Sequence, residues 1–134
     1  MRQTTALSLL MLLLLCGNAK AQDEVIGKWE GQTLEGDIIS YEFKEDNSVI
    51  WNLDKQSFPG PITARYSVDY STKPIRLDMF EFSFELLKET KFVGIVEFPS
   101  PKKMKIDGVR VEADSNDERP KEFTWQAIEF SRIE

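Results

Sequence analysis

Asp78, Glu81 and Glu97 fall in strand-like stretches and are the first candidates for chemistry, because two carboxyl groups at a suitable separation are enough for glycoside hydrolysis. Asp46, Asn47 and Asp54 carry oxygen ligands of the kind calcium prefers. Their spacing, however, lacks the central glycine and terminal glutamate of an EF-hand loop. The stretch RPKEF, residues 119–123, raises a third chemistry, an anion contact by Arg119 at the edge of a last strand. Lys102, Lys103 and Lys105 form the one small cationic cluster.

Each signal is weighed against a plainer reading. With 23 acidic residues in 134, a carboxylate at any given position discriminates little, and each is read as solvent-facing. Arg119 follows the acidic run 114–118, which satisfies a guanidinium locally and repels an anion. Pro120 keeps the residue before it out of helical geometry. RPKEF is therefore read as a structural hinge, with a place at the mouth of a ligand site as the alternative. The lysines are read as a solvated face protecting a strand edge, with a binding patch as the alternative.

There is no histidine and only one cysteine, Cys16. Histidine triads and ordinary histidine metal sites are thereby excluded, and no glycine-rich phosphate cradle or dinucleotide fingerprint is present. The expectation is a protein that is not an enzyme, with no catalytic residue, cofactor or metal site.

The elements that would position these residues begin after a leader. Arg2, the apolar run Leu7–Leu15 and Ala19-Lys20-Ala21 read as a signal peptide over residues 1–21, the last three residues forming an A-x-A cleavage site. A lipid-modified Cys16 is the rival, disfavoured by the leucine before it. Removing residues 1–21 of 134 leaves 113, suited to one domain over 22–134. Of 17 basic residues, Arg2 and Lys20 leave with the leader, so 15 remain against 23 acids, a net charge of −8. That balance argues against nucleic acid or an anionic membrane surface as partner. No later segment is apolar enough to span a bilayer. The expected location is periplasmic or secreted.

Apolar residues then alternate with polar ones almost throughout. Ile39, Tyr41 and Phe43 share one face, and Val49, Trp51 and Leu53 repeat it beyond Asp46-Asn47, which predicts a hairpin. Phe58-Pro59-Gly60-Pro61 interrupts before Ile62–Tyr70, and a strand over Ile75–Met79 continues its pattern through Phe82, Phe84 and Leu86. A charged hairpin loop leads to the dense apolar strand Phe92–Phe98, in which Gly94 is expected to mark a bend or bulge. Asp107-Gly108 reads as a local turn, and the phase change between Trp125 and Ile128 reads as a bulge near Gln126-Ala127. About eight short antiparallel strands result, with no room for crossover helices. An open sheet with one apolar face would leave its core uncovered, so an all-β, closed up-and-down barrel is expected, with a β-sandwich as runner-up.

Gly27-Lys28-Trp29 has the G-x-W form that opens the first strand of lipocalin-like barrels. Together with Pro74-Ile75-Arg76-Leu77-Asp78, Gly94-Ile95-Val96-Glu97-Phe98 and Arg119-Pro120 followed by Phe123, it resembles small exported bacterial proteins with a lipocalin-like (calycin-type) domain, a family mostly of uncharacterised function. Arg76 and Val96 depart from the lysine and tyrosine of that pattern, and its cysteine is absent near Ile106-Asp107. The resemblance implies the fold and carries over no catalytic residue. It also implies that Trp29 plugs one barrel end beneath Arg132. The residues alone leave Trp29 open as an ordinary core anchor, that plug, or a ligand-stacking ring.

Two functions remain. One is a non-enzymatic exported binding protein holding a small apolar ligand at the barrel end opposite Trp29. The other is a solid barrel serving as an envelope structural or protein-interaction module, favoured by the many large inward aromatics.

Overall fold

A computed structural model describes residues 24–116 and 118–133, so the signal peptide and Cys16 lie outside the described residues. Eight strands follow one another, β1 (Gly27–Gln32), β2 (Ile38–Phe43), β3 (Ser48–Leu53), β4 (Ile62–Asp69), β5 (Ile75–Phe80), β6 (Thr90–Ser100), β7 (Lys103–Glu112) and β8 (Ile128–Arg132). Each pairs antiparallel with the next, and β8 pairs with β1 to close the barrel. The up-and-down barrel is thus the fold, and the sandwich is not. Closure removes every sheet edge. The lysines of β7 therefore guard no edge: Lys103 Nζ donates to Ser131 Oγ at 2.8 Å, and Lys105 lies over the Phe123 ring.

Period-two alternation turns one face of every strand inward. Phe43, Val49, Leu77, Val96, Met104 and Phe130 are all buried in one interior cluster with Trp29. Aromatic contacts link strands two places apart: Tyr41 on β2 meets Phe130 on β8 at 5.4 Å, and Phe43 on β2 meets Tyr66 on β4 edge-on at 4.9 Å between centroids. The predicted β2–β3 hairpin forms, with Ile39 opposite Leu53 and Phe43 opposite Val49. Its turn needs a left-handed residue, and Asn47 supplies φ 67°.

Four local expectations are corrected. The strand after Pro74 stops at Phe80, because Glu81 takes φ 54° and a single 3-10 turn, Glu85–Leu87, follows. Gly94 sits in unbroken register opposite Gly108, and the shift in β6 falls between Glu97 and Ser100. Gly94 is needed for space instead: a Cβ there would lie 2.5 Å from the Phe92 ring and 2.6 Å from the Asp107 carbonyl oxygen. Asp107-Gly108 is no turn, since β7 runs straight through it. The phase change before Ile128 has no bulge behind it either, because Phe123 and Trp125 precede β8 altogether.

Residues 113–116 and 118–127 instead lie as a strap across the outer wall. Beneath it, Val93 and Ile95 are buried although they point away from the interior cluster. This explains why β6 is apolar on both faces: one side packs inside the barrel and the other under the strap.

Candidate functional site

Each end of the barrel is stoppered by a tryptophan. At one end Trp29 on β1 is fully buried, and its indole N–H donates to the Val25 carbonyl at 2.9 Å. Arg132 lies over its ring, 4.2 Å from the centroid. The guanidinium donates to the carbonyls of Ile26 at 2.6 Å, Glu24 at 2.9 Å and Pro101 at 3.0 Å. Cation–π attraction and carbonyl capping act through one planar group. Of the three readings of Trp29, the plug beneath Arg132 is the one formed.

At the opposite end Trp51 on β3 is packed by loops. Phe58, delivered by the Pro59-Gly60-Pro61 turn, meets it edge-on at 5.1 Å, and Phe82 does so at 6.2 Å. Arg110 stands 5.9 Å from its ring centroid. The indole Nε1 of Trp51 is buried without a hydrogen-bond partner among the described residues. Deeper in the same barrel, burial pushes the Tyr41 hydroxyl well above the usual phenol range, against a smaller opposing pull from Arg110. Tyr41 is accordingly a neutral packing group and no proton carrier near neutral pH.

None of the described clefts reaches Tyr41, Trp51, Leu77 or Met79, although two at the Trp29 end touch interior residues, Val96 in one and Val25 and Tyr66 in the other. The one on the Trp51 side, about 540 Å³, lies between Lys88–Thr90 and Glu112–Asp114 and is charged. The strap makes the other notable place. Arg119 Nη1 donates to Asp78 Oδ1 on β5 at 2.6 Å and to the Gly94 carbonyl on β6 at 2.8 Å. Asp107, buried on β7, accepts from the Thr124 N–H at 2.7 Å and its hydroxyl at 2.8 Å. Beside Arg119 opens a cleft of about 530 Å³ lined also by Thr72, Lys73, Pro74, Arg76 and Lys121.

The fold so described has a solved counterpart. The crystal structure of Pallilysin from Treponema pallidum matches it with a TM-score of 0.57 at 10% identity, covering 96% of this chain and 97% of that one. At that identity the likeness concerns the fold alone. No protein-family model matches the chain, and no curated relative matches it.

The sequence-derived candidates are dispersed. Asp78 is bound to Arg119, Glu81 faces Arg65 at 3.8 Å, and Glu97 is exposed opposite Lys105. Asp46 caps its own turn, accepting from the Ser48 N–H at 3.0 Å and hydroxyl at 2.5 Å, and Asp54 is exposed at the far end of β3. Among the described residues no three His, Cys, Asp or Glu side chains gather in a way that could hold a metal. Nor is any described helix long and apolar enough to cross a membrane. RPKEF does not stand at the entry to the last strand, since β8 begins only at Ile128, and Arg119 is bonded to Asp78 across the fold. Two signals pointed to the strap: the double-faced apolar pattern of Val93–Phe98, and a β7–β8 connection too long for an ordinary hairpin.

Proposed function

We propose that the chain is an exported, non-enzymatic lipocalin-like barrel, related to the small bacterial proteins its motifs resemble, that works through its exterior as an envelope interaction module. One observation carries this reading: the three most exposed large hydrophobic residues, Leu34 (63%), Leu86 (81%) and Trp125 (78%), all stand on connections that join strands at the end opposite Trp29. Scattered surface leucines need no explanation, but apolar groups concentrated on one set of loops are the usual mark of a contact surface. The interior supports the same reading, because an eight-stranded barrel packed with Trp29, Tyr41, Phe43, Tyr66 and Phe130 leaves little room for cargo. The leader-like residues 1–21 support a periplasmic or secreted location.

A photo-crosslinking residue at Leu34, Leu86 or Trp125, introduced into the full chain in its native cells, is expected to give a discrete protein adduct. The same residue at exposed Glu45, on the opposite end, is the control. Adducts at Glu45 alone, or at none of the four, would overturn the reading.

A second reading, a small apolar ligand at the Trp51 end, is favoured by the unpartnered Trp51 Nε1, which a ligand oxygen would satisfy. Saturable quenching of tryptophan fluorescence by apolar probes, abolished in Trp51→Phe, would replace the first reading with this one.

A further inference from the structure

In a chain of net charge −6, the cleft beside Arg119 is lined by Lys73, Arg76, Arg119 and Lys121 and by no acidic residue. Arg119 is already held by Asp78, and its charge is thereby fixed in the wall. Lys73, Arg76 and Lys121 make no ion pair among the described residues. Asp69 faces Arg76 across the β4–β5 ladder, yet it accepts from the Ser71 N–H and hydroxyl and does not line the cleft. Charges farther away are screened over about 8 Å at physiological salt, so the local excess of cations decides what is attracted.

The cluster is assembled by the fold. Arg76 belongs to β5, Lys73 lies just before it, and Arg119 and Lys121 arrive on the strap. The Arg119–Asp78 bond, 41 residues apart in sequence, fixes these segments against each other. A neighbouring cleft of about 470 Å³ shares Thr72, Lys73, Pro74 and Lys121 and adds apolar side chains, Ile75, Phe98 and Phe123 among them, together with three carboxylates, Glu24, Glu97 and Glu122. A cationic compartment thus adjoins one that is part apolar and part acidic, with Lys73 and Lys121 between them.

We infer that this double cleft binds a phosphate ester, its phosphoryl oxygens among Lys73, Arg76, Arg119 and Lys121 and its carbon-bearing part over Ile75, Phe98 and Phe123. A carboxylate offers two oxygens in one plane and is matched by a single guanidinium fork. Four cations reaching in from two separate stretches of backbone suit a tetrahedral group that presents several oxygens at once. The same chemistry is met in a free phosphomonoester and in a phospholipid headgroup. The inference does not rest on the interaction reading above, which concerns the opposite end of the barrel.

The test uses the leaderless chain with two probes, glycerol 3-phosphate in solution and phosphatidylglycerol vesicles, with phosphatidylcholine vesicles as control. Arg76→Ala/Lys121→Ala is the variant, chosen because both side chains are exposed and outside the core, and its denaturation midpoint verifies folding. Saturable shifts of the amide resonances of residues 73–76 and 119–121 with glycerol 3-phosphate, weakened at least about tenfold in the variant and by added salt, mark a free ester. Co-sedimentation with phosphatidylglycerol alone, lost in the variant, marks a headgroup. Arg76→Lys/Lys121→Arg should restore either behaviour. No response to either probe up to roughly 10 mM phosphate, or binding that the folded alanine variant retains in full, overturns the proposal.

Discussion

Arg132 and Trp29 face each other in register across the β1–β8 seam, with the guanidinium carbon 4.2 Å from the centre of the indole. The contact joins the first and last strands and also ties down residues 24–26, whose carbonyls Arg132 shares with Pro101. Trp29→Ala should cost about 3–5 kcal/mol, as for a large aromatic removed from a packed core. Arg132→Lys keeps the charge but loses the planar fork, and should cost about 1–3 kcal/mol. Chemical denaturation measures both. A Trp29→Ala loss below about 1 kcal/mol would contradict the plug, since exposed positions behave that way.

The strap makes a separate prediction. Arg119→Ala strands a partly buried Asp78 carboxylate and the Gly94 carbonyl, with an expected cost of about 1–3 kcal/mol. Because the strap covers Val93 and Ile95 only from outside, its amides should exchange faster while those of β2 and β3 keep their protection. Asp78→Asn in the same background should add little, as members of one pair are not additive. Equal acceleration over the whole chain would show that the strap is not a separate unit.

Acid sensitivity should trace in part to two turns. Hydrogen bonds from the Ser48 side chain and backbone hold the Asp46 carboxyl below its ordinary range, and Ser71 does the same for Asp69. A carboxyl whose folded pKa is depressed contributes stability that is fully present above its unfolded value of about 3.9 and is lost as pH falls through the folded value. Asp46→Asn/Asp69→Asn should therefore be less stable than the parent chain at neutral pH. The gap should close as pH drops below about 4. Denaturation midpoints from pH 7 to pH 2 measure it, and a gap that persists at the acid end would remove the charge from the explanation.

Export is tested by mass. Protein recovered from its native envelope should begin at Gln22, with that glutamine open or cyclised. An acylated chain beginning at Cys16 would place the same barrel on a membrane tether.

Much of the architecture is local information. The period of two in Ile39–Phe43, Val49–Leu53 and Ile62–Tyr66 dictates strands with one buried face, and a run of such strands without helices has to close on itself to cover that face. Gly27-Lys28-Trp29 likewise marks where the first strand begins, and the family resemblance named Arg132 as the partner of Trp29.

Adjacency across the chain was decided only by the tertiary structure. Nothing near Arg119 in sequence names Asp78 as its partner, because the path of the strap depends on which outer surface is left apolar by Val93 and Ile95. Gly94 and Gly108 are separated by 14 positions, yet they meet to admit the Phe92 ring, a constraint set by register. The basic cleft arises the same way. Alternation reports which face a side chain takes, but the gathering of Lys73, Arg76, Arg119 and Lys121 follows from closure of the barrel and the docking of a long connection on its wall.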